Sequence, residues 1–186
     1  MSFEMPTLQG ALVRAEAKLG ASLGGACRIA VYHEMRKDLT RIVGEIEDER
    51  FRSELRYSER ELTNRSKRRG FTCFIVYLDE GPMAFVFGFD DPEEGAYFSD
   101  SAATLIERRG VGSVLTALEV LYCLENGYRS EKMITEDLDE SGRRLVEYWA
   151  RFGFQVTGRD PKIGVEMRLD LTPENVKGLY DRYIGA

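Results

Sequence analysis

Apolar residues recur along the chain at two spacings, and each spacing marks a kind of element. Leu8, Ala11, Leu12, Ala15 and Leu19 stand three or four residues apart, which predicts a helix over 6–19 with Gly20 as its stop. Gly24-Gly25 separates it from a short strand at 27–32. Residues 36–57 are highly charged but keep Leu39, Ile42, Val43 and Ile46 on one helical stripe. Ser58, with Glu61 three residues on, has the capping-box spacing and predicts a second helix over 58–69. The runs 71–78 and 83–89 flank the turn Asp79-Glu80-Gly81 and read as a hairpin. A polar turn at 90–95 leads to a further strand at 96–105.

The clearest helix is 110–125, where Val111, Val114, Leu115, Leu118, Leu121 and Tyr122 share a face and Asn126-Gly127 supplies the stop. A short strand follows at 132–135. A helix beginning near Asp139 or Ser141 carries Leu145, Tyr148, Trp149 and Phe152 and ends at Gly153. Strands at 155–158 and 165–171 flank a turn at Asp160-Pro161, and Thr172-Pro173-Glu174 opens a last helix with a hydroxyl cap and an early proline. The order is β, α, α, β, β, β, α, β, α, β, β with a helix at each end. It predicts an α/β (α+β) architecture: a mixed sheet of six to seven strands flanked by helices. At 186 residues the chain fits one domain. The pattern divides into an N-terminal helical extension (1–24), a body (25–171) and a C-terminal helix (172–186).

Composition narrows the function. Hydrophobic residues at 43% and charged ones at 31% are those of a soluble globular domain. A net charge of −6 argues against non-specific binding to nucleic acid or an anionic membrane. The basic cluster Lys67-Arg68-Arg69 falls where cations complement a helix C-terminus, so it reads as a helix end. No apolar run approaches the ~18–20 residues of a membrane span, and the first ten residues lack a secretory pattern. A cytoplasmic protein is expected. Cys27, Cys73 and Cys123 have no metal-binding spacing, and His33 is the sole histidine. Chemistry built on histidine ligands or a Ser-His-Asp triad is therefore not expected, nor is a metal.

The sharpest local signal is Glu107-Arg108-Arg109-Gly110-Val111-Gly112-Ser113, between a strand and the strongest helix. Glycines let a ligand approach the backbone, and the first N–H groups of a helix are free to bind phosphate. No Gly-Lys-Ser/Thr follows, and Leu115 stands where a dinucleotide fingerprint needs its third glycine. The later run Ser141-Gly142-Arg143-Arg144-Leu145-Val146-Glu147-Tyr148-Trp149-Ala150-Arg151-Phe152-Gly153-Phe154 ends an aromatic helix with Gly-Phe.

Together these two segments resemble the GNAT superfamily of acyl-CoA-dependent N-acyltransferases, most specifically over 96–154. The resemblance implies the GNAT fold, acetyl-CoA as co-substrate, and direct attack on it by a primary amine of a small molecule or peptide. It implies a pyrophosphate cradle formed by Arg108, Arg109, Gly110, Val111, Gly112 and Ser113. It also implies a pantetheine arm lying along Ala102, Ala103, Thr104 and Leu105. The family's Gln/Arg position falls on Glu107, or on Arg109 with a shorter loop. The family's tyrosine, which often protonates the CoA thiolate, falls on Trp149, with Tyr148 one place earlier. The base is expected to be a carboxylate: Glu136, with Asp137 and Asp100 as alternatives. Strand alternation puts Asp100 on the face of Ala102 and Thr104. The acids Glu45, Glu47, Asp48, Glu49 and Glu54 would attract a cationic amine. A homodimer fits the family as well. The departures at 107 and 149 leave a second reading, an inactive GNAT-like module that holds an acyl-CoA.

Overall fold

The structure, a computed structural model, describes residues 5–185. The first four residues of the N-terminal piece and Ala186 lie outside them. The strands are β1 (Cys27–Tyr32), β2 (Thr72–Leu78), β3 (Gly81–Asp90), β4 (Ala96–Thr104), β5 (Ser130–Thr135), β6 (Gln155–Asp160) and β7 (Gly164–Asp170). They form one sheet in the order β1-β2-β3-β4-β5-β7-β6. Every neighbouring pair is antiparallel except β4 and β5, which the crossover helix α4 (Val111–Glu125) makes parallel.

The remaining α-helices are α1 (Leu8–Leu23), α2 (Lys37–Arg50), α3 (Glu59–Ser66), α5 (Leu145–Ala150) and α6 (Pro173–Tyr180). The sheet separates two cores. On one face Ala11, Ala15 and Leu19 of α1 and Val176 and Leu179 of α6 pack with α4 against Phe74, Val76, Val86 and Met133. On the other, Leu39, Val43 and Ile46 of α2 and Leu62 of α3 cover Ile75, Phe85 and Phe87. This explains the unbroken apolar runs of β2 and β3: central strands covered on both faces have no polar side. The N-terminal helix is thus part of the main core. Glu16 on α1 also accepts the outward N–H of Ile29 on the edge strand β1 at 2.8 Å.

Several elements end elsewhere than the sequence suggests. Helix α1 runs through Gly20 and stops at Gly24 in the left-handed region. A side chain at Gly20 would stand 3.0 Å from the Gly25 carbonyl oxygen, so glycine there allows a close approach instead of ending the helix. Helix α2 stops at Arg50, and Phe51 is extended. The expected helix start at Asp139 or Ser141 is a loop, because the Asp139 carboxylate accepts the N–H groups of Ser141 and Arg143 and holds the chain in a turn. Strand β5 begins two residues before Lys132, at the buried polar residues Ser130 and Glu131.

Candidate active site

The parallel pairing of β4 with β5 runs from Ala96–Ser130 to Ser99–Met133 and stops there. β4 continues to Thr104, and Leu105 still donates to the Met83 carbonyl at 2.8 Å, so this stretch stays fastened to β3. Its other edge, along Ala102, Ala103, Thr104 and Leu105, has no strand partner. The result is a slot between diverging strands at the end of β4 from which α4 springs.

A bulge sits where the strands part. Phe87 pairs with Ser101 and Gly88 with Ser99, leaving Asp100 as the extra residue. It resets the alternation. Ala102 lies opposite Val86 on the α1/α4 face, whereas Asp100 bonds Tyr57 and Arg65 on the α2/α3 face. The expected placement of Asp100 beside Ala102 and Thr104 is therefore corrected: Asp100 and Ser101 project together toward α2 and α3.

Beyond β4 the Thr104 hydroxyl donates to the Ile106 carbonyl at 3.0 Å and turns the chain. Arg108 (φ 58°) and Gly110 (φ 82°) both adopt left-handed conformations. The first intrahelical bond of α4 joins the Val114 N–H to the Gly110 carbonyl. The N–H groups of Val111, Gly112 and Ser113 thus have no helical partner and stand at the positive end of the helix. The Val111 side chain is buried, whereas Arg108, Arg109 and Gly110 are exposed. A cleft of about 290 Å³ opens beside this turn, lined by Lys18 and Ser22 of α1, Arg109, Gly110, Ser113 and Arg182. These donors and cations suit an anionic, phosphate-bearing ligand.

Tyr148 reaches this turn. Its hydroxyl oxygen lies 3.2 Å from where a Cβ on Gly112 would stand, and it interacts with the Ser113 hydroxyl. Burial raises its pKa. Trp149 points elsewhere and packs edge-on against Tyr148 at 4.9 Å and Phe154 at 6.1 Å. Of the two aromatics, Tyr148 faces the helix N-terminus and Trp149 packs against the core.

The expected carboxylates are scattered. Glu107 pairs with Arg50, and Glu136 with Arg52, so the last residue of α2 and the chain just beyond it reach both lips of the slot. Asp137 is exposed and paired with Arg159 at 2.8 Å. Asp100 is held by Arg65 at 2.6 Å, and burial, opposed by that arginine, raises its pKa.

Sequence reasoning grouped Glu47 with the exposed acids of α2. The side chain is instead 1% exposed and lies against the bulge, accepting the Ser101 hydroxyl at 3.1 Å and the Tyr57 N–H at 2.9 Å. Burial, helped by the neighbouring Asp100, pushes its pKa up to about 7. Only its place on the Leu39–Val43–Ile46 stripe, at a helical step from Val43, could have marked it. On the opposite face Glu119 and Glu131 form a second buried acid pair between α4 and β5. Ser99 donates to Glu119 at 2.8 Å, and both carboxyl oxygens of Glu131 lack a hydrogen-bond partner. Burial raises both pKa values.

The sequence matches no family model and no curated protein. The fold does have counterparts among solved structures. A putative acetyltransferase of the GNAT family from Desulfovibrio desulfuricans superposes with a TM-score of 0.64 at 16% identity, covering 77% of this chain and 99% of that one. The aminoglycoside 6'-N-acetyltransferase from Enterococcus faecium gives 0.63 at 11% identity, covering 78% and 97%. The PaiA N-acetyltransferase from Thermoplasma acidophilum, solved in complex with coenzyme A, gives 0.58 at 13%, covering 76% and 98%. The chain has the fold of the GNAT acetyltransferases. No helix among the described residues is long and apolar enough to cross a membrane.

Proposed function

We propose that the protein is an N-acetyltransferase that passes the acetyl group of acetyl-CoA directly to a primary amine of a small molecule or peptide. One conjunction carries the reading. The bare edge of β4, the unpartnered N–H groups of Val111, Gly112 and Ser113, and the Tyr148 hydroxyl meet at one end of the slot. Acetyl-CoA, when bound, supplies the activated acetyl group. The backbone of Arg108 to Ser113 receives its pyrophosphate, and Arg109 adds charge beside it. The free edge of Ala102 to Leu105 pairs with the amides of the pantetheine arm, as an added strand would. Tyr148 keeps its proton in its buried setting and delivers it to the departing sulfur. Glu136, just after β5 and beside Arg52, holds the cationic amine.

The test is a thermal-shift titration with acetyl-CoA, followed by thiol release against a panel of amines. Stabilisation together with amine-dependent release supports the reading, and absence of both defeats it. The bridges from Arg50 and Arg52 across the slot favour a second reading, a module that binds acyl-CoA without turnover. Stabilisation without release from any amine would select it.

A further inference from the structure

We propose that Glu47 is the proton sink for the acceptor amine, acting through the hydroxyl of Ser101. The inference rests on the acetyltransferase reading and assigns the one step that the residues above leave open. Attack requires a neutral amine, and a lysine-like ammonium with pKa ~10.4 must first lose a proton. Glu136 is engaged by the Arg52 guanidinium, an arrangement that suits an anchor for the amine.

The geometry around Glu47 is directional. Its Oε2 accepts the backbone N–H of Tyr57, a group that can only donate, so Oε2 remains an acceptor in either protonation state. A proton arriving on Glu47 has its partner at Oε1, the oxygen that faces Ser101, while Oε2 keeps accepting from Tyr57. The serine hydroxyl can donate to Oε1 or accept from it, so the one contact serves both states. The bulge at Asp100 is what aims Ser101 at α2, and it falls just where β4 loses β5. Tyr148 packs on the α1/α4 face, and Glu47 meets β4 from the α2/α3 face, so the proton donor for sulfur and the acceptor for nitrogen are on opposite faces of the sheet.

The charged surroundings set the working range. Asp100 on β4 disfavours a second carboxylate, and Arg65 on α3 favours one. Tyr57, pushed up to about 12, stays neutral. Glu47 therefore changes charge near pH 7, where a base for this reaction is effective.

The step balances. The ammonium gives a proton to the Ser101 oxygen as Ser101 gives its own to Glu47 Oε1. The freed lone pair forms the C–N bond while the C–S bond breaks, and the thiolate takes the Tyr148 proton. The second nitrogen proton returns through solvent to the tyrosinate, and Glu47 releases its proton to bulk.

The test compares Glu47→Gln and Ser101→Ala with wild type in thiol release from pH 6 to 10, with the melting temperature measured alongside. Both variants are expected to lose 10- to 1000-fold in kcat at pH 7, to recover part of it by pH 10, and to keep the KM for acetyl-CoA. The double variant is expected to be no slower than the slower single one. If Glu47→Gln does not fold, Ser101→Ala decides alone. A folded variant with the wild-type pH profile and rate overturns the inference and leaves the acetyltransferase reading intact. A wild-type protein that releases no thiol with any amine overturns both.

Discussion

The hydroxyl of Tyr148 stands 3.2 Å from the point a side-chain carbon would occupy on Gly112. The residue that offers a proton and the turn that offers N–H groups are thus fitted to each other. Tyr148→Phe should lower kcat by roughly 10²–10⁴-fold with CoA affinity near wild type. Gly112→Ala should push the hydroxyl aside and lower kcat in the same direction, and steady-state kinetics on both variants checks the pairing.

Gly110 combines a left-handed backbone with exposure at the mouth of the cradle. Gly110→Ala should cost roughly 1–2 kcal/mol of backbone strain. Gly110→Asp should carry the same strain and in addition repel phosphate, so its affinity for CoA should fall well below that of the alanine variant. Calorimetric titration of the two with CoA separates shape from charge.

Glu136 and Arg52 form a bridge across the slot. If Glu136 anchors the ammonium, Glu136→Gln should raise the KM for the amine about tenfold with kcat largely kept. A loss confined to kcat would return the base role to Glu136.

Trp149 packs on Tyr148, Phe152 and Phe154 but is only partly buried. Trp149→Ala should therefore cost about 3 kcal/mol, the low end for removing a large aromatic from a core. Urea denaturation measures it.

Glu119 and Glu131 are raised in the folded protein by burial and titrate normally once unfolded. The folded state then holds more protons than the unfolded one above the ordinary carboxyl pKa of ~4.3. Their contribution is full below that pH and fades as pH rises through the folded values. Stability should fall by about 1.4 kcal/mol per pH unit for each retained proton. Glu119→Gln should flatten the decline, read from urea midpoints between pH 5 and 9.

Periodicity exposes what repeats and hides what is singular. The runs of β2, β3 and α4 were legible because one face or both are packed, and the cradle was legible because glycine marks its backbone. Ser130 and Glu131 fall outside the strand predicted at 132–135, yet they are buried in β5. Asp100 was placed on the wrong face because alternation assumes an unbroken ladder, and the bulge needs the register of Phe87 and Gly88 to be seen. Tyr148 stood one place from the family position; the direction of its ring depends on where the short helix α5 begins, which the Asp139 turn decides. Glu47 was one acid among several in sequence; its step from Val43 on the apolar stripe hinted at burial, and the fold supplies its partners Ser101 and Tyr57.

The bond from Glu16 to the Ile29 N–H has a consequence for how the protein can be cut. β1 and β6 are the two borders of the sheet, and α1 lays a carboxylate along the first. A chain started at Cys27 would lose that cover together with the apolar face that Ala11, Ala15 and Leu19 bury. It would then carry open strand borders at both ends, the arrangement that lets copies add head to tail into polymers. A helix that looks like an appendage in the order of elements thus covers one of the two strand borders along which copies could add.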